Sequence, residues 1–188
     1  MARPKNRLGI AGVALVALVT VACGGSKDGA KDAQSAKVER NPDVNETIAQ
    51  FKAKDPTIEP LFAKSAGYFI VPTVGEGAFI IGGGHGKGEM FEGGAYIGQI
   101  SVSEMSIGAQ VGGQSYSELV FFEKETDVRK LKEGSFAFNA EVTAIAADKG
   151  AAQNGSFKDG TMAFILPKKG LMASAAIGGQ KIDFTAAK

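Results

Sequence analysis

The sequence predicts an α+β domain, mainly β: a curved antiparallel sheet or partly closed barrel, with two N-terminal helices and one short internal helix. Three observations carry this prediction. From Tyr68 onward apolar residues recur with period two, broken by short polar or Gly-containing turns. Between Asn41 and Gly67 two stretches carry helix-start signals and helical apolar spacing. The chain holds 26 glycines in 188 residues, and most cluster between Gly67 and Gly113, as parts of one structural device.

The elements follow in order. Asn41-Pro42 places a capping side chain before a proline at the first helical position. Val44, Ile48 and Phe51 then share one face, opposite Glu46, Gln50 and Lys54. Asp55-Pro56 breaks this helix. Thr57 can cap a second one that tolerates Pro60 in its first turn, turns Leu61 and Phe62 inward and ends at Gly67. Strands are expected at 68–71, stopped by Pro72, and at 78–84, 89–91, 95–102 and 106–122. A short helix is expected at 126–132, and an alternating half-buried strand from Phe136 to Ala146. Residues 149–159 read as a polar loop. Residues 161–166, 171–177 and 180–184 read as a closing meander that turns at Lys168-Lys169-Gly170 and Gly178-Gly179. Short adjacent strands favour antiparallel pairing, since parallel pairs need long crossovers.

Gly82, Gly84, Gly86 and Gly88 fall at every second position and would strip one strand face of side chains. Such a stripe serves coiling, a bulge or the close approach of another backbone. A phosphate loop at Gly86-Lys87 fails on detail: Ile81 stands where glycine is needed, and Gly88 where a magnesium-binding hydroxyl is needed. A dinucleotide fingerprint fails because strand-like sequence follows where a helix is required.

The first 40 residues divide into an address and a spacer. Arg3, Lys5 and Arg7 precede an uncharged apolar run from Leu8 to Ala22, the layout of a secretory signal. As a helix that run spans roughly 22 Å, short of the roughly 30 Å of bilayer hydrocarbon. Cys23, the one Cys of the chain, follows directly. Thr20-Val21-Ala22-Cys23 resembles the bacterial lipobox, although Thr20 stands where Leu is usual; the resemblance implies a signal peptide over 1–22 and acylation, including palmitate, at Cys23. Gly24 in the next position resembles the outer-membrane sorting pattern, with the domain facing the periplasm. Residues 24–40 are small and polar, with Val38 the single large aliphatic, and are expected to form a flexible tether after the lipidated Cys. The globular domain is expected over 41–188.

Formal net charge is +1, from 21 basic and 20 acidic residues, and removing Arg3, Lys5 and Arg7 leaves a slight acidic excess. That argues against a nucleic-acid binder. One His and one Cys exclude Cys/His zinc sites, iron–sulfur clusters and disulfide frameworks by count.

Four blocks then point to a family. Residues 66–77, Ala-Gly-Tyr-Phe-Ile-Val-Pro-Thr-Val-Gly-Glu-Gly, resemble the opening signature of the SYLF-domain family. The Gly-rich block 81–88, the strand 106–114 and the pair 169–172 with 179–182 resemble later blocks in the family's order, so the likeness covers about Asp55 to Phe184. It implies a membrane-associated, lipid-binding module and no enzyme. Eukaryotic members bind phosphoinositides through an amphipathic N-terminal segment, and a yeast relative binds actin. This chain departs from them: it has no Trp, its N-terminal helical region is mixed in charge, and it carries a secretion signal. The lipid-binding habit is the part expected to carry over.

Candidate site residues are therefore cations. Lys168 and Lys169, read in a tight turn, Lys181, and Lys87 among glycines are the candidates for meeting lipid phosphates. Lys87 has the added argument that flanking glycines open backbone N–H groups to an anion. His85 reads as structural, and Glu89 and Glu92 as exposed hairpin acids. Ser115 and Ser117 lack a base, and Asp148 and Asp159 lack the ligand spacing of a calcium loop. No catalytic set, metal or cofactor is assigned. The expected function is a membrane-anchored lipoprotein binding phospholipid or another amphiphile at the cell envelope. The alternative is an envelope interaction protein whose core binds another protein.

Overall fold

The computed structural model describes residues 41–76, 84–103, 115–134, 136, 138, 143–169, 174–176 and 179–188. All fall in one compact unit, Ala36–Lys188, separate from the unit Met1–Ser35. The signal, Cys23 and tether expectations lie outside the described residues.

Helix α1 (Asp43–Lys54) starts where expected, and the Asn41 side chain accepts the Asp43 N–H at 3.0 Å. Val44 and Phe51 are buried, and Asp43 and Glu46 in the first turn with Lys52 and Lys54 in the last suit the helix dipole. A 3-10 turn (Pro56–Ile58) leads into helix α2 (Glu59–Lys64). Thr57 caps neither: Asp55 caps the 3-10 turn, its carboxylate accepting the Thr57 N–H at 3.0 Å, and Ile58 stands at the N-cap of α2. Helix α2 buries no residue completely and is held by aromatic edges, Phe62 lying 4.9 Å from Tyr68 and 5.0 Å from Phe121.

Eight strands follow: β1 (Gly67–Glu76), β2 (Gly84–Glu92), β3 (Ala95–Ser103), β4 (Ser115–Phe122), β5 (Thr143–Ala146), β6 (Thr161–Lys169), β7 (Ser174–Ala176) and β8 (Lys181–Ala186). Helix α3 (Glu125–Lys132) joins β4 to the following segment, and helix α4 (Ala151–Asn154) lies between β5 and β6. The domain is α+β, mainly β, as the sequence predicts. The strands form one sheet in the order β7-β5-β6-β4-β1-β2-β3-β8.

That order corrects three expectations. The closing meander does not form: β6 lies between β4 and β5, so neither of its edges remains for β7, which pairs with β5, while β8 pairs with β3. The pair β5–β6 is parallel, so the sheet is mixed. Residues 149–159, read as a polar loop, lie in the 147–160 crossover that this pairing requires, and they contain α4. Pro72 does not stop β1. It sits at a register shift relative to both β2 and β4, where a missing N–H costs no ladder bond, and its carbonyl accepts the buried Ser117 hydroxyl at 2.7 Å.

The sheet is open but curled. Laid flat, eight strands would separate their outer edges by about 34 Å. Yet Ala176 at the end of β7 and Lys181 at the start of β8 are five residues apart, a reach of at most about 18 Å. The glycine stripe contributes to this curvature. A Cβ at Gly88 would overlap the Ile70 carbonyl oxygen, and one at Gly86 would lie 2.6 Å from Val71 Cγ1. The bulged β1 therefore packs onto bare β2 backbone. Gly82 lies outside the described residues.

Each face of the sheet has its own core. The inner cluster joins Phe69, Val71, Met90, Val120 and Phe122 with Val128 and Leu131 of α3. The outer cluster joins Tyr68, Ile70, Phe91, Leu119, Phe121 and Phe164 with Val44 and Phe51 of α1, Ile58, and Ala152 of α4. Fully burying one such large side chain contributes about 1.5–3 kcal/mol.

Candidate functional site

The helices cover only part of the outer face. Strand register shows what remains. On β2, Glu89, Lys87 and His85 face outward; they pair with Gln99, Ser101 and Ser103 of β3, which in turn pair with Thr185, Asp183 and Lys181 of β8. On β1, Thr73 pairs with Lys87. Beyond the Pro72 bulge this face is open: Thr73, His85, Lys87, Lys168, Lys181 and Asp183 are all exposed.

Two of the predicted cations meet here. Lys168 Nζ donates to Thr73 Oγ1 at 2.9 Å. Directly opposed residues of an antiparallel pair hold their Cβ atoms about 4.5–5.5 Å apart, so Lys87 stands beside the same threonine. Thr73 accepts from one ammonium and keeps its own hydroxyl proton to donate. Two ammonium groups flanking a hydroxyl donor match the oxygens of a phosphate monoester or diester. Thr73 was not singled out by sequence reasoning, because its partner Lys168 is 95 residues away.

The other predicted residues divide. Lys181 lies on the same face but pairs with Asp183 at 2.8 Å, leaving its corner near neutral. Lys168 and Lys169 are in strand β6, not in a turn, because β6 runs on to Lys169 beside Ser115 of β4. The side chain of Lys169 and the whole of Cys23 lie outside the described residues. The idea of an anion reaching the β2 backbone at Lys87 is also corrected: Lys87 is laddered to Thr73 on one side and Ser101 on the other. Lys87 therefore presents its side chain and no backbone nest.

Glu89 is a larger correction. It is fully buried, and its Oε1 accepts the backbone N–H of Asn41 at 2.7 Å. Glu92 is half-buried and pairs with Lys132 at 2.9 Å. His85 Nδ1 lies 3.3 Å from Ser103 Oγ across the β2–β3 pair, its one side-chain hydrogen bond among the described residues. Asp148 accepts the Lys149 N–H, and Asp159 occupies a turn with φ +49°. Among the described residues no three His, Cys, Asp or Glu side chains group as a metal site.

Asp55 is a multiply bonded carboxylate. It is fully buried and accepts from the Thr57 hydroxyl at 2.6 Å, the Ala152 N–H at 2.7 Å, and the Gly150 and Thr57 N–H groups at 3.0 Å. Burial opposes its ionisation, but these hydrogen bonds outweigh burial and hold its carboxyl below the ordinary value of 3.8. Its role is to latch the α1–α2 junction to α4. Beside α4, Asn154, Ser156, Lys158, Thr161 and Met162 line a pocket of about 210 Å³.

No protein-family model matches the chain, and no curated protein matches it.

Proposed function

We propose that this chain is a membrane-anchored lipoprotein whose SYLF-like domain binds the anionic headgroup of a phospholipid or related amphiphile on the open half of the outer sheet face. The observation that carries the reading is the Lys168–Thr73–Lys87 cluster. The lipobox-like sequence at Cys23 and the family resemblance point the same way. The reading assigns a binding role and no catalytic step, and needs no metal or cofactor. Its location is the cell envelope, as an outer-membrane lipoprotein facing the periplasm.

Near an anionic surface each lysine contributes about 1 kcal/mol. The test is co-sedimentation of residues 24–188 with neutral and anionic vesicles at two salt concentrations. Salt-sensitive binding to anionic vesicles alone is expected, falling about 30-fold when Lys87→Ala and Lys168→Ala are combined. Indifference to every vesicle would defeat the reading and direct the search to a protein partner.

A further inference from the structure

We infer that the open basic face docks onto the same leaflet that holds the chain's own acyl anchor, because Glu89 fixes where the N-terminal segment joins the sheet. This inference rests on the headgroup reading above. Glu89 and Lys87 are successive outward residues of β2, about 7 Å apart along the strand. Glu89 holds the Asn41 N–H, and Asn41 in turn caps α1 through Asp43. Asn41, the first described residue of the domain, is therefore pinned at the margin of the basic face.

Chain length sets the rest. Asn41 is 18 residues from Cys23. That length reaches at most about 65 Å extended and roughly 20–25 Å as a coil. A leaflet carrying Cys23 is thus within reach of the face beside Asn41. Linkage of this length gives a binding site a millimolar effective concentration, so a headgroup site too weak to hold a free domain is well occupied in a tethered one.

Charge selects the occupant. Among the described residues, the open half of the face presents exposed Lys87, Lys168 and Lys181 against the exposed carboxylate of Asp183, a match for an anionic leaflet. Helix α3, against the inner face of the sheet, sets Arg129, Lys130 and Lys132 against Glu125, Asp127 and the C-capping Glu133. It has no such excess.

The test uses the full acylated chain in vesicles of phosphatidylcholine with or without phosphatidylglycerol. Cys23 is the one native Cys, so once it is acylated an added Cys is the one free thiol. An environment-sensitive fluorophore goes on Thr185→Cys, exposed on the basic face, or on Thr126→Cys, exposed on α3. With phosphatidylglycerol, a headgroup quencher is expected to quench the Thr185 probe several-fold more than the Thr126 probe. The difference should vanish without phosphatidylglycerol and in the Lys87→Ser, Lys168→Ser chain. Equal quenching, stronger quenching at Thr126, or an asymmetry that survives the lysine changes overturns the inference. If residues 24–188 still bind anionic vesicles, the headgroup reading survives that result; if they do not, both fail together.

Discussion

The two halves of the outer sheet face are built on the same strands and do opposite things. On one side of the Pro72 bulge, Tyr68, Ile70, Phe91, Leu119 and Phe121 are buried under α1 and its neighbours. On the other, Thr73, Lys87, Ser101 and Lys168 continue the same strands with side chains that water solvates well. No change of pairing partner separates them. The shift in β1 register at Pro72 does, with Ser117 closing the proline carbonyl. A sheet face can thus carry a core and an open polar surface, the proposed binding site, side by side, because burial on one half supports the strands that display the other.

This contrast predicts a graded series. Phe121→Ala, in the covered half, should cost about 3–5 kcal/mol in denaturant unfolding, a large share of an ordinary domain's about 5–15 kcal/mol. Asp55→Ala should cost about 3 kcal/mol, since four donors from two distant segments lose a buried charged acceptor.

The pH dependence of Asp55 has a definite sign. Its folded-state pKa lies below 3.8, so its stabilisation is fully present above that ordinary value and is lost as pH falls through the lowered one. The stability gap between wild type and Asp55→Asn should therefore shrink only in strongly acidic solution. A gap that closes near neutral pH would show that another group is responsible.

Ser117→Ala, at the boundary, should cost about 1–2 kcal/mol by leaving the Pro72 carbonyl unpaired. Lys87→Ala and Lys168→Ala, in the open half, should each shift stability by no more than about 0.5 kcal/mol while weakening vesicle binding. A large loss of stability from either lysine change would erase the proposed division of labour.

Local signals accounted for much of the architecture. Asn41-Pro42 announced α1, residues 126–132 were read as the helix that is α3, and period two announced β3 and β4 but only the 89–91 part of β2, because capping and amphipathic period act over a few residues. The spaced glycines announced a close backbone approach, which Gly86 and Gly88 make against β1. Lysines 87 and 168 were singled out for their charge, but nothing local placed them on either side of Thr73. Glu89 looked like a hairpin acid because its burial comes from Asn41, 48 residues away.

Amino-acid order alone dictated the α+β class, the start of α1, the strand period and the basic candidates, since each depends on neighbours within a turn or a pleat. Tertiary structure decided which strands lie side by side. Each strand has only two edges, so once β4 and β5 enclosed β6, neither β7 nor β8 could join it; β7 pairs with β5 and β8 with β3, at opposite ends of the sheet. The same long-range choice brought β6 within reach of β1 across β4, and with it the ammonium of Lys168 to the hydroxyl of Thr73.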